Sequence, residues 1–217
     1  MLAIENNGDK FSLEKLISGQ KLLAACIQKI AQEIGPGMTE KEAGEITKAT
    51  LSKHGFGKNW HPPKIRFGTN TLKTYSEASE PNVILQKNDI FFLDLGPIIA
   101  EHECDYGQTF VVGNDPDLGR LRDSSKLLFD QVKAKWSQEN LSGQALYQFA
   151  ITEAEKLGYD FITEGASGHR VGDFPHQIHY RGDLRKVPES IAGNRWILEI
   201  QIHDKKLNRG AFFENIL

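Results

Sequence analysis

Asp94 stands in the middle of Phe91-Phe92-Leu93-Asp94-Leu95-Gly96, an apolar run with strand character. A carboxylate so placed is buried or nearly so. Taking it out of water costs several kcal/mol even after relaxation, so it needs a partner. Glu199 repeats the pattern within Trp196-Ile197-Leu198-Glu199-Ile200, and Glu214 repeats it within Ala211-Phe212-Phe213-Glu214. Eleven residues after Asp94, Asp105 opens the next strand beyond a short polar connection, Glu101-His102-Glu103. If the two aspartates lie on adjacent antiparallel strands, their carboxylates converge across the ladder. One embedded acid is readily explained by a buried Arg or by backbone donors. Four that share a site raise one another's pKa unless cations compensate.

Two divalent metals supply that compensation, since four carboxylates carry −4 and two ions carry +4. A neutral imidazole adds coordination without charge. The candidate imidazole lies in Gly165-Ala166-Ser167-Gly168-His169-Arg170-Val171-Gly172-Asp173-Phe174-Pro175-His176, where glycines around His169 let the backbone approach a crowded site. Oxygen-rich ligation with one imidazole favours Mn, Co, Fe or Zn over metals that prefer soft ligands. Cys26 and Cys104 form no metal motif or disulfide framework and are read as reduced thiols of a cytoplasmic protein.

Composition excludes other classes. Lys plus Arg total 26 against 29 Asp plus Glu, with no basic cluster, which argues against a nucleic-acid partner. No window approaches a membrane span, and the acidic and basic residues of the first ten positions exclude an ordinary secretory signal. A homodimer stays open, because neither length nor composition marks an interface.

Apolar spacing predicts a helix from Phe11 to Ile34, ended by Gly35-Pro36-Gly37. Thr39 and Glu42 predict a capping box that opens a second helix to about His54. Strands are expected at Lys64 to Phe67, Asp89 to Pro97, Tyr106 to Val112, Trp196 to Ile202 and Ala211 to Leu217. Two helices, Asp117 to Gln138 and Ser142 to Leu157, fall between the third and fourth. This order, a helix pair and strands twice over without a sequence repeat or linker, reads as one α+β domain over residues 1–217. Trp136, Tyr147 and Phe149 are read as helix core, His179 as a wall of the site and His203 as a surface residue.

Asp94 and Asp105, then Gly168-His169 with His176 seven residues on, then two strand glutamates in order, resemble the ligand series of the pita-bread superfamily. That superfamily comprises methionine aminopeptidases, Xaa-Pro aminopeptidases, prolidases and creatinases. The stretches Ile65–Thr71, Asp89–Pro97 and Asp105–Gly113 are similar to its first ligand-bearing hairpin and the approach to it. The resemblance implies a pita-bread fold and a dinuclear metal-dependent hydrolase, an Xaa-Pro or related N-terminal exopeptidase acting on a peptide or small amide through a metal-bridging water. Asp94 would bind one metal, Asp105 and Glu214 would bridge the pair, and His169 and Glu199 would complete the second metal. His176 would contact substrate near the scissile bond, and Glu199 would carry the water proton to the leaving amine.

The sequence departs from the pattern in several places. The family's aminopeptidases carry another histidine upstream of the first ligand aspartate, where this chain has Tyr75 or a near neighbour. His61, in Trp60-His61-Pro62-Pro63, either replaces it in space or is a loop histidine. Phe212 stands where prolidase-type members carry arginine, and the separate N-terminal domain of many Xaa-Pro enzymes is not seen. Leu217 follows Glu214 by three residues, which implies a short final strand. These departures keep two alternatives open: a creatinase-like hydrolase of a small C–N bond, and a non-catalytic binding protein with the same fold.

Overall fold

The computed structural model describes residues 2–217. The first helix, α1 (Leu13–Glu33), is capped by Ser12, and α2 (Glu40–Lys53) opens on the expected box. There Thr39 N–H donates to Glu42 Oε2 at 2.8 Å and Glu42 N–H donates to Thr39 Oγ1 at 3.3 Å. The chain then forms β1 (Lys64–Phe67), β2 (Asp89–Leu95), a small hairpin of β3 (Ile98–Ile99) and β4 (His102–Glu103), and β5 (Tyr106–Val112). The second helix pair is α3 (Pro116–Glu139), started by Asp115 and Pro116, and α4 (Gly143–Lys156), started by Ser142. Two short strands, β6 (Asp160–Phe161) and β7 (His169–Arg170), lead to β8 (Trp196–Asp204) and β9 (Arg209–Ile216).

The main sheet is antiparallel in the order β1-β2-β5-β9-β8-β6, with β7 also paired to β8. The two halves meet where β5 pairs β9. Helix α3 packs on β2, β5, β8 and β9, α1 on β5, and α2 on β1. Strand alternation divides the apolar and acidic residues between the two faces. Phe213 stacks edge-on against Phe129 of α3 at 4.9 Å, so its neighbour Glu214 points to the face away from that helix. The final strand is not short. β9 has eight residues and is paired on both sides, which buries Glu214, two residues before its end.

The first residues are tied into the structure. Glu5 is buried and accepts from Trp196 Nε1 at 2.9 Å and from Ala192 N–H at 2.7 Å. The buried guanidinium of Arg170 donates to the carbonyls of Ile4 and Asn6, at 2.8 and 3.0 Å. Among the described residues no helix is long and apolar enough to cross a membrane.

Candidate metal centre and active site

Sheet register explains why four acids distant in sequence share one place. Asp94 in β2 is paired with Gly107 in β5, Gly107 with Glu214 in β9, and Glu214 with Glu199 in β8. The three acids and the glycine therefore form one row across four strands and face the same side. Asp105 lies two residues from Gly107, diagonally across from Asp94. His169 pairs with Ile197, which places it diagonally to Glu199. A cavity of about 350 Å³ opens over this row, and Asp94, Asp105, His169, His176, Glu199 and Glu214 all line it. All six residues singled out from the sequence are brought together.

Asp105 is the pivot of the cluster. Its Oδ2 lies 2.9 Å from His169 Nε2, and its Oδ1 lies 3.2 Å from His61 Nε2. His61 Nε2 is also 3.5 Å from Asp94 Oδ1, and His169 Nε2 is 3.6 Å from Glu199 Oε1. Glu199 is aimed by its second oxygen, which accepts from the N–H groups of Ser167 and Gly168 at 2.8 and 3.1 Å. Its backbone is held by Tyr147, whose hydroxyl donates to the Glu199 carbonyl at 3.2 Å. Tyr147 is thus core, as its helical spacing implies, and also a support of the site.

The cluster is short of positive charge. Asp94 Oδ1 and Glu214 Oε1 are buried and have no hydrogen-bond partner among the described residues. Burial, reinforced by Asp105, Asp94 and Glu199, pushes the Glu214 carboxyl well above the ordinary range. Burial also raises Asp94, to about 6, against the opposing pull of His61, and it raises Glu199. Burial would likewise raise Asp105, but His61 and His169 hold it at about 2. Both imidazoles would be lowered by burial, yet the facing carboxylates lift His61 to about 10 and His169 to about 9. Without metal, protons stand in for the missing positive charge. Ligand atoms of Asp105, His169 and Glu214 lie within 4.8 Å of one another, as do those of His61, Asp94 and Asp105. Orphaned buried oxygens together with an O/N donor set fit divalent metal.

His176 is positioned by a residue that no local pattern in the chain singles out. Glu103, placed above in a polar connection, is buried in β4. Its Oε1 accepts from the His176 backbone N–H at 3.0 Å, and its Oε2 accepts from His176 Nδ1. That assigns the ring's N–H to Nδ1 and leaves Nε2 as an acceptor. His179 does not line the cavity. The turn at His176–Ile178 points His176 inward and leaves Ile178 exposed, and the wall is completed by Gln177 and Arg181. His203 is half-buried and its Nε2 is enclosed without a partner among the described residues, so it is not a free surface residue. Trp60 forms another wall, with its ring 5.1 Å from that of His169 and 5.7 Å from that of His176. Tyr75 also lines the cavity, and its ring packs edge-on to His61 at 5.9 Å.

Residues 14–217 match the description of metallopeptidase family M24. The chain belongs to that family. It is a family of metallopeptidases, and the pita-bread architecture expected from the ligand series is the one observed. A similar curated protein is methionine aminopeptidase A of Synechocystis, 24% identical over 176 residues, which cover 76% of this chain and 69% of that protein. Among solved M24-like structures, the prolidase from Pyrococcus horikoshii superposes with a TM-score of 0.75 at 17% identity, covering 97% of this chain and 59% of that one. The methionine aminopeptidase from Thermotoga maritima superposes with a TM-score of 0.74 at 13% identity, covering 97% and 93%. The chain thus spans about three-fifths of the prolidase and nearly all of the smaller aminopeptidase.

Proposed function

We propose that this M24 chain is a dinuclear metal-dependent aminopeptidase that releases an N-terminal residue, with Xaa-Pro peptides among its substrates. The observation that carries the reading is the single row of Asp94, Glu214 and Glu199, joined by Asp105 and His169, with two carboxylate oxygens buried and unpartnered among the described residues. Asp94, Asp105, His169, Glu199 and Glu214 would hold two ions of the Mn, Co, Fe or Zn type. Such ions, when bound, polarise a scissile carbonyl and lower the pKa of a water towards neutrality.

The chain's own groups supply the remaining chemistry. Glu199 has one oxygen fixed by two N–H donors, which leaves Oε1 towards the cavity. That oxygen is placed to take a proton from the attacking water and deliver it to the departing amine. His176, held at Nδ1 by Glu103, presents Nε2 to the peptide at the scissile bond. Trp60 lies against both site histidines and keeps bulk water off that flank. A volume of 350 Å³ is at the small end of ligand pockets, about 300–1,000 Å³, and suits the end of a peptide rather than an internal stretch.

Incubation of the Mn- or Co-loaded protein with Met-Xaa and Xaa-Pro peptides tests the reading. Release of the first residue is expected. Release no greater than that of an Asp105→Ala control would reject it.

A further inference from the structure

We propose that His61 is an additional metal ligand, binding through Nε2 the ion held by Asp94 and Asp105, so that each ion of the pair has its own imidazole. The inference rests on the two-metal reading above, and it concerns a residue outside the five-ligand series.

Three observations carry it. The first is spacing. Two donor atoms each about 2.1 Å from one ion stand about 3.0–3.4 Å apart at angles between tetrahedral and octahedral. His61 Nε2 lies 3.2 Å from Asp105 Oδ1 and 3.5 Å from Asp94 Oδ1. His169, a ligand of the expected series, shows the same spread, 2.9 and 3.6 Å from its two carboxylates. Asp105 turns one oxygen to each imidazole.

The second observation is the tautomer. His61 Nδ1 lies 3.0 Å from the Pro62 carbonyl, which can only accept, so Nδ1 carries the hydrogen. His169 is arranged in the same way, with Nδ1 2.7 Å from the Arg170 carbonyl. With Nδ1 so engaged, Nε2 is the nitrogen turned to the carboxylate oxygens, and a metal ion there takes the place of the proton between them. A backbone carbonyl on the far nitrogen is the usual support of a metal-bound imidazole.

The third is that the fold makes room for this ring. A Cβ at Gly96, two residues after Asp94, would lie 2.1 Å from His61 Cδ2 and Nε2. Trp60 anchors the approach, its N–H donating to the Gly96 carbonyl at 2.9 Å and its Nε1 to the Cys104 carbonyl at 3.1 Å. The imidazole is buried, so its place beside Asp94 and Asp105 is built in.

Proton NMR of the Co²⁺-loaded protein decides the matter. Two hyperfine-shifted, solvent-exchangeable imidazole N–H resonances are expected, one from His61 and one from His169, and His61→Ala should remove one of them. Calorimetric titration of His61→Ala with Co²⁺ should show one site weakened at least tenfold and the other kept. A wild-type protein that binds two ions with a single such resonance overturns the inference and leaves the two-metal reading intact. A wild-type protein that binds no metal overturns both. Should His61→Ala fail to fold, the wild-type resonance count still decides.

Discussion

Gly107 lies directly across the β5–β9 ladder from Glu214, and a Cβ there would stand 2.7 Å from Glu214 Oε1 and 2.4 Å from Phe212 Cε1. The missing side chain is what allows carboxylates from three other strands to share one row. Gly107→Ala should displace Glu214, lower the amount of bound metal, and cost about 1–3 kcal/mol as an overpacked site. Elemental analysis and a urea midpoint measure the two effects. A variant with full metal content and wild-type activity would show that the row tolerates a methyl group.

Glu103 acts through His176. Glu103→Ala frees the ring, and a misplacement of about 1 Å costs on the order of 10²-fold in kcat. Glu103→Gln keeps an acceptor for Nδ1 and should recover part of that loss. Both variants also change the pH dependence. Burial lowers the His176 pKa and Glu103 opposes this, so a neutral partner lets the pKa fall further. The acid limb of the rate profile should therefore move to lower pH in Glu103→Gln. An unmoved limb with kcat intact would separate Glu103 from His176 function.

The ligand row was readable in one dimension because an acid within an apolar strand is a local anomaly. Asp94, Glu199 and Glu214 announce themselves by their neighbours, and strand periods, the Thr39 cap and the helix pairs follow from equally local rules. Glu103 could not be found that way. It sits between His102 and Cys104 in what reads as a polar connection, and its burial comes from packing on residues 172–176, about 70 positions away. Trp60 and His61 look like loop residues beside prolines for the same reason, since their contacts with Gly96, Cys104 and Asp105 are all tertiary. Tyr147 was legible as core, but its hydroxyl contact with Glu199 depends on where α4 crosses β8.

The two cysteines should be inert in the native protein. Burial pushes the Cys104 thiol up to about 12 and raises Cys26 as well, and the thiolate is the reactive form. Iodoacetamide at pH 8 is expected to leave both unmodified until denaturant is added, when two adducts form. Mass spectrometry counts them. Rapid native modification of Cys104 would mean that the β3–β4 hairpin opens readily and exposes the wall next to Asp105.

Removing metal should destabilise the protein more as the pH rises. Asp94, Glu199 and Glu214 have folded pKa values raised by burial, and His61 and His169 are raised by their carboxylate partners. Between the ordinary carboxylate range and about pH 9, the metal-free folded state therefore holds more protons than the unfolded chain, and its stability falls with increasing pH. Asp105 has the opposite sign, but its window closes near the ordinary carboxylate pKa, because its folded value is about 2. Metal binding displaces these protons, so each one released adds about 1.4 kcal/mol of metal-linked stability per pH unit. The gap in Tm between Mn-loaded and chelated protein should be small at pH 5.5 and widen steadily to pH 8.5. Calorimetric scans at several pH values measure it. A gap that stayed constant with pH would mean that the acids and imidazoles of the row are not the groups that take up the ions.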